Sequence, residues 1–172
     1  HGFLLAQDKS LGPSLNLQPG QIDLVTLPVF LLSNLSHGIT SVIADTDLTK
    51  PGFPHVSNIL DQLRQHQITR CTASPAFFEK MPDEFFETLI ELYTGGAPVF
   101  PDLLSRFPKK SHAVYGSSEA EPIAHFQGSD LNPEVQRIIR EGGGLPAGKP
   151  VDEISLQIMD DEILVTGNHV LK

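Results

Sequence analysis

The sequence predicts an α/β protein: a parallel-rich sheet flanked by helices, followed by the start of a small β-rich, barrel-like subdomain. Two observations lead to this class. Short apolar runs alternate with helix-like segments of about a dozen residues or fewer, which is typical of a parallel sheet covered by helices. Beyond residue 130 a polar, glycine-rich stretch precedes a local hairpin pattern. We therefore predict two partial subdomains, residues 1–141 and 142–172.

The elements of the first subdomain follow from its apolar runs and the glycines and prolines between them. Residues 1–10 predict a helical remnant, and Gly12 and Pro13 mark a loop. Cys71 lies in an apolar run and is expected to be a small core residue. Five strands are expected, at residues 22–27, 39–44, 68–73, 89–94 and 111–116. Helices are expected at residues 29–38, 55–66, 74–81 and 97–107.

The second subdomain opens with a glycine-rich linker and a hairpin. Residues 143–149, GGLPAGK, match the pattern of a phosphate-binding loop, but a charged segment precedes them and Pro150 replaces the required hydroxyl. We therefore interpret them as a flexible linker. Residues 154–167 alternate apolar and polar around Asp160 and Asp161, which predicts two antiparallel strands.

Composition restricts the class of function. The net charge of −9 over 172 residues argues against non-specific nucleic-acid binding. A single cysteine excludes an intrachain disulfide and suits a reducing compartment, so a cytoplasmic location is expected. There is no apolar run long enough for a transmembrane segment, and the first residues lack the features of a signal peptide. The chain opens without Met in what reads as the middle of a helix, so we expect an internal piece of a longer chain.

Two motifs follow neighbouring predicted strands. Gly95, Gly96, Ala97 and Pro98 end the fourth strand, and Tyr115-Gly116-Ser117-Ser118-Glu119 ends the fifth. In a parallel sheet both ends lie at one edge, where ligands bind. Tyr115 is suited to stack on a base and Ser117 and Ser118 to donate to a phosphate. Glu119 is suited to hold Mg²⁺, which prefers oxygen ligands. The two motifs together predict a nucleotide site.

An alternative interpretation makes Ser118 a nucleophile. The sequence Gly116 to Ala120 is close to the elbow of an α/β hydrolase, which also needs an acid and a later His. Glu121 and His125 lie too near in sequence for these roles, and His169 is a remote candidate. A non-catalytic nucleotide-sensing module is a third possibility at this point.

The two motifs resemble those of the adenylate-forming superfamily of AMP-forming acyl-CoA synthetases, aryl-acid ligases and luciferase-like enzymes. Gly95 to Pro98 resembles its adenine-binding segment, and Tyr115 to Glu119 resembles its Y-G-x-[ST]-E motif. The segments TASPAFFEKM, GLPAGKPV and EILVTGNHVLK are also similar to family segments. The resemblance covers essentially the whole chain, as an internal part of the large N-terminal domain of such an enzyme.

The resemblance implies a function and a set of roles. Gly95, Gly96 and Ala97 would line the adenine, Tyr115 would stack on it, Ser118 would contact the α-phosphate and Glu119 would bind Mg²⁺. The reaction implied joins a carboxylic acid, expected to be a fatty acid, to ATP. It then passes the acyl group from AMP to the thiol of CoA or of an acyl carrier protein.

Departures from the family pattern point to one branch. Leu31 stands where many acyl-CoA synthetases carry His, and DLVTLP with GITSVIADTD resembles the β-lactone synthetases of olefin biosynthesis, which act on long-chain β-hydroxy acids. The triphosphate loop is expected before His1, and the ribose-binding Asp and catalytic Lys beyond Lys172. The isolated chain is therefore expected to be inactive.

Overall fold

The computed structural model describes residues 2–171, so His1 and Lys172 lie outside the described residues. It contains a seven-stranded sheet in the order β2-β1-β3-β4-β5-β6-β7 and a separate hairpin, β8-β9. The first five strands pair in parallel, whereas β6 and β7 are antiparallel to their neighbours. The strands are β1 (Ile22–Val25), β2 (Thr40–Ile43), β3 (Arg70–Ala73), β4 (Glu91–Gly95), β5 (Ser111–Ser117), β6 (Ala120–Gln127), β7 (Lys149–Pro150), β8 (Ile154–Met159) and β9 (Glu162–Gly167).

Helices connect the parallel strands and cover both faces of the sheet. They are α1 (Gly2–Ser14), α2 (Leu31–Ser36), α3 (Val56–His66), α4 (Pro75–Phe78), α5 (Asp83–Thr88), α6 (Pro101–Arg106) and α7 (Pro133–Arg140), with 3₁₀ turns at Pro28–Phe30 and Gly128–Asp130. The predicted fold class, a parallel-rich sheet flanked by helices with a small antiparallel unit after it, is confirmed. Within residues 2–171, no helix has the length and apolar character needed to cross a membrane.

The sheet separates two hydrophobic clusters. On one face, Leu24, Cys71 and Leu92 pack against α3, α4 and α5, which contribute several phenylalanines. Cys71 is completely buried, as expected for a core residue. On the other face, Tyr93 packs with Leu11 of α1, with Leu15 just after this helix and with Phe30. The second face carries the polar side chains described below.

Several local predictions were wrong or incomplete. Helix α1 continues through Gly12 and Pro13 to Ser14, since Leu11 and Leu15 are buried against the sheet on either side of them. Helices α5 and α7 and strands β6 and β7 were not predicted. The helix expected at residues 97–107 begins only at Pro101, after an extended segment.

The hairpin predicted at residues 154–167 is present, with its turn at Asp160 and Asp161. Its apolar side chains Ile154, Leu156 and Val165 pack against Ala120, Ile123 and Ala124 of β6. The division at residue 142 stays a prediction.

Candidate nucleotide-binding site

The parallel pairing of β4 with β5 brings the two predicted motifs together. Gly95 lies directly opposite Val114, one residue before Tyr115. A cleft of about 420 Å³ opens at this edge of the sheet. Of the nine predicted site residues, five line it: Gly96, Ala97, Pro98, Tyr115 and Gly116. Tyr115 is 42% exposed, so its ring is free to take a partner at the cleft.

The two adjacent glycines are required by the backbone for different reasons. A Cβ on Gly95 would lie 2.5 Å from the Val114 carbonyl oxygen, so only glycine allows β4 to approach β5 so closely. Gly96 has a φ of +74°, in the left-handed region that side chains disfavour, and open space around its Cα. The sequence suggested that both glycines make room for a flat ligand. Only Gly96 has open space beside it at the cleft, whereas the space beside Gly95 is filled by the backbone of β5.

Ser117, Ser118 and Glu119 lie beyond the cleft, at the tight turn between β5 and β6. All three are exposed. A nucleophile elbow requires a strand, a sharp turn and then a helix. Here a second, antiparallel strand follows Ser118, so the geometry of an α/β hydrolase is absent at this position. The candidate His169 is fully buried and its Nε2 lies 2.9 Å from the Pro122 carbonyl oxygen.

The segment after β9 fixes this turn from the other side. The Leu171 N–H donates to the Glu119 carbonyl oxygen at 2.7 Å. Val170 forms an isolated antiparallel bridge with Ala120. Together with the contact of His169 to Pro122, these bonds tie the backbone around Glu119 to a segment about 50 residues later in the chain. No local sequence pattern indicates this clamp.

The glycine-rich segment forms a wall of the cleft, which the sequence did not suggest. Leu145, Pro146 and Ala147 line it together with Tyr115. The segment is held in place where it meets the sheet, because a Cβ on Gly148 would lie only 2.0 Å from the His125 carbonyl oxygen and Lys149 pairs with His125 in β7. It follows helix α7 and leads into a strand, so it lacks the context of a phosphate-binding loop.

A smaller cavity of about 140 Å³ adjoins the cleft on the α1 face of the sheet. Gly96 and Val114 line both spaces, so they form the boundary between them. The cavity walls are mainly apolar and include Leu15, Leu27, Val29, Phe30 and Tyr93. Glu121 is the only charged residue among those that line it in the described chain, and burial raises the pKa of its carboxyl.

A row of stacked side chains lies behind the cavity on the same face. The Arg70 guanidinium lies 4.6 Å from the centre of the Tyr93 ring, and the ring of Tyr93 stacks on His112 at 4.7 Å. His112 stacks in turn on His125 at 5.1 Å, with 3.1 Å between His112 Nδ1 and His125 Nε2. Burial, together with the neighbouring His125, lowers the pKa of His112 to about 4. Burial also lowers the pKa of His125, so both histidines of the row are neutral near pH 7.

The architecture is that of adenylate-forming enzymes. The N-terminal domain of FACL13 from Mycobacterium tuberculosis, in an inhibitor-bound crystal structure, superposes with a TM-score of 0.74 at 18% identity, over 100% of this chain and 46% of its own. O-succinylbenzoate coenzyme A synthetase from Bacillus subtilis, in complex with ATP and magnesium ion, superposes with a TM-score of 0.72 at 22% identity, over 99% of this chain and 38% of its own. These likenesses establish the fold.

Sequence comparison adds a particular relative. An olefin beta-lactone synthetase of Xanthomonas campestris pv. campestris is 30% identical over an alignment 172 residues long, which covers 94% of this chain. The chain spans 31% of the length of that relative. No protein-family model matches the chain. The predicted resemblance to the adenylate-forming superfamily, including its β-lactone synthetase branch, is confirmed by these similarities.

Proposed function

We propose that the full-length protein activates a carboxylic acid with ATP, forming an acyl-adenylate and releasing pyrophosphate. The observation that carries this proposal is the meeting of the Gly95–Gly96 and Tyr115–Glu119 motifs at one edge of the sheet, beside a cleft of about 420 Å³. In the proposed complex, Gly96, Ala97 and Pro98 contact the adenine and Tyr115 stacks on it. Gly95 keeps the two motifs together, and Gly116 lines the cleft floor.

The exposed turn suits the phosphate end of the nucleotide. Ser117 and Ser118 present hydroxyl donors, with Ser118 assigned to the α-phosphate. The Glu119 carboxylate forms no ion pair or hydrogen bond with another described side chain. Within residues 2–171, no group of three or more His, Cys, Asp or Glu side chains is placed to hold a metal. One free carboxylate fits Mg²⁺, which is usually held by one or two carboxylates together with substrate phosphates.

The chemistry requires positioning and charge neutralisation more than proton transfer. A carboxylate oxygen of the acid attacks the α-phosphorus of ATP, and pyrophosphate leaves. Mg²⁺ would neutralise charge on the phosphates, while Ser118 holds the α-phosphate in line with the attacking carboxylate. We assign the chain of the acid to the smaller cavity, whose apolar walls suit a fatty acid.

We further propose that the acyl group passes to a thiol of CoA or of an acyl carrier protein, in the cytoplasm. The 30% identical relative favours a second candidate, in which the adenylate of a long-chain β-hydroxy acid closes to a β-lactone. Pyrophosphate release by the full-length protein, measured with and without a fatty acid, tests the shared first step. Product analysis with and without CoA then separates the two outcomes. No acid-dependent release with any carboxylic acid would refute the proposal.

A further inference from the structure

We propose that Glu121 selects acids that carry a hydroxyl close to the reacting carboxylate. This inference rests on the proposed adenylation, and it assigns a role to a residue outside the two nucleotide motifs. The class of substrate that it implies is a β-hydroxy acid with an apolar chain.

The position of Glu121 is the first argument. A Cβ built on Gly116 would lie 3.2 Å from the Glu121 Cγ, and Gly116 lines the nucleotide cleft. Glu121 itself lines the smaller cavity. The side chain therefore stands where the cleft meets the cavity. An acid with its carboxylate in the cleft and its chain in the cavity would pass its first carbons along this side chain.

The second argument is the lack of a partner for the carboxylate. Among the described residues, the Glu121 carboxylate takes part in no side-chain hydrogen bond or ion pair, and burial is the only cause of its raised pKa. Its neighbours in the cavity wall include the apolar Leu27 and Phe30. Thr72 and Thr94 also line the cavity, but neither hydroxyl forms a hydrogen bond to the carboxylate. Removing a carboxylate from water without a compensating bond is costly. A substrate hydroxyl would supply the missing donor.

Discrimination between hydroxylated and plain acids follows from the position of Glu121 and from its lack of a partner. A hydroxylated acid would replace the water lost by Glu121 with a charge-assisted hydrogen bond. A plain fatty acid would cover the carboxylate with methylene groups and leave it unpaired. Sites built to bond a substrate hydroxyl reject analogues without it far more strongly than apolar pockets reject an extra methylene. The hydroxyl is favoured over an ammonium group because the 30% identical relative is a β-lactone synthetase, and a β-lactone ring joins a carboxyl to a hydroxyl two carbons away.

The test uses the full-length protein and three acids of equal length: 3-hydroxydecanoate, decanoate and 3-aminodecanoate. The kcat/KM for pyrophosphate release is measured for the wild type, Glu121→Leu and Glu121→Gln. The wild type should prefer the hydroxy acid over decanoate by at least about 10-fold, the value of one hydrogen bond to a charged group. Glu121→Leu should lose this preference by gaining activity on decanoate, which also shows that the variant folds. Glu121→Gln, which keeps an acceptor oxygen, should show a preference between those of the wild type and Glu121→Leu.

The control is Glu162→Gln, an exposed glutamate of the hairpin, which should leave the ratio unchanged. Equal use of both acids by the wild type, with no change in Glu121→Leu, would overturn the inference and leave the adenylation intact. A preference for 3-aminodecanoate over 3-hydroxydecanoate would also overturn it. Pyrophosphate release with none of the three acids, and with no other carboxylic acid, would refute the proposed function itself.

Discussion

Acidification should destabilise the protein through the stacked histidines. His112 lies between Tyr93 and His125, with its pKa lowered from 6.5 to about 4. Because this pKa is lower in the folded state than in the unfolded chain, the contribution of His112 to stability is fully present above pH 6.5. That stabilisation is lost as the pH falls from 6.5 towards 4.

The size of the effect follows from the two pKa values. At about 1.4 kcal/mol per pH unit, the interval between 6.5 and about 4 corresponds to roughly 3 kcal/mol for His112. The residue is not fully buried, so we expect about 2 kcal/mol to be observed. The physical cause is the cost of charging a partly buried ring beside His125 and the Arg70 guanidinium. Protonation of both histidines would also leave two donors facing each other across the 3.1 Å contact.

The assay is denaturant unfolding at a series of pH values between 8 and 4.5. The variant His112→Phe keeps a ring against Tyr93 and removes the titrating group, so its free energy of unfolding should fall about 2 kcal/mol less than that of the wild type over this range. His66→Gln, at an exposed histidine of α3, should follow the wild type. The comparison between variants removes the contributions of carboxyl groups, which titrate in all three proteins. A His112→Phe curve parallel to that of the wild type would refute the reasoning.

Three further predictions concern the site. Gly95→Ala should lower the free energy of unfolding by about 1–3 kcal/mol, because its Cβ would press on the Val114 carbonyl, and thermal unfolding measures the loss. Tyr115→Ala in the full-length protein should weaken AMP binding by about 10-fold, the value of one stacked base, with calorimetry as the measurement; unchanged affinity would exclude stacking. His169→Phe should leave the Pro122 carbonyl unpaired and cost about 1–3 kcal/mol, whereas unaltered stability would show that the clamp beside Glu119 contributes little.

The parallel half of the sheet could be predicted because its strands are short apolar runs between glycines and prolines. The antiparallel strand β6 could not be recognised in the same way. Its sequence, AEPIAHFQ, contains Pro122, which argues against a strand. It is covered by the hairpin at residues 154–167, a contact that no local pattern reveals.

Helix α7 was missed although its signals were present. Asn132 caps it, accepting from the Val135 N–H at 3.0 Å, and Pro133 occupies the first helical position. Both features are recognised signs of a helix start. The polar and glycine-rich composition of residues 132–144 is otherwise typical of a linker.

Part of the candidate site could likewise be predicted from the sequence, and part could not. The meeting of Gly95–Gly96 with Tyr115–Glu119 follows from the parallel order of β4 and β5, which the sequence indicates. The wall at Leu145 to Ala147 and the position of Glu121 depend on β6 and β7, whose pairing is non-local. They could be found only from the structure.

The most direct test of the proposed function is ATP–pyrophosphate exchange by the full-length protein carrying Glu119→Ala. Loss of the proposed Mg²⁺ ligand should reduce acid-dependent exchange by about 100-fold or more at limiting Mg²⁺, comparable with the loss of one preorganised electrostatic contact. Glu162→Ala, on the exposed hairpin, should exchange at the rate of the wild type. Equal exchange rates for Glu119→Ala and the wild type would contradict the assignment of this turn to the nucleotide.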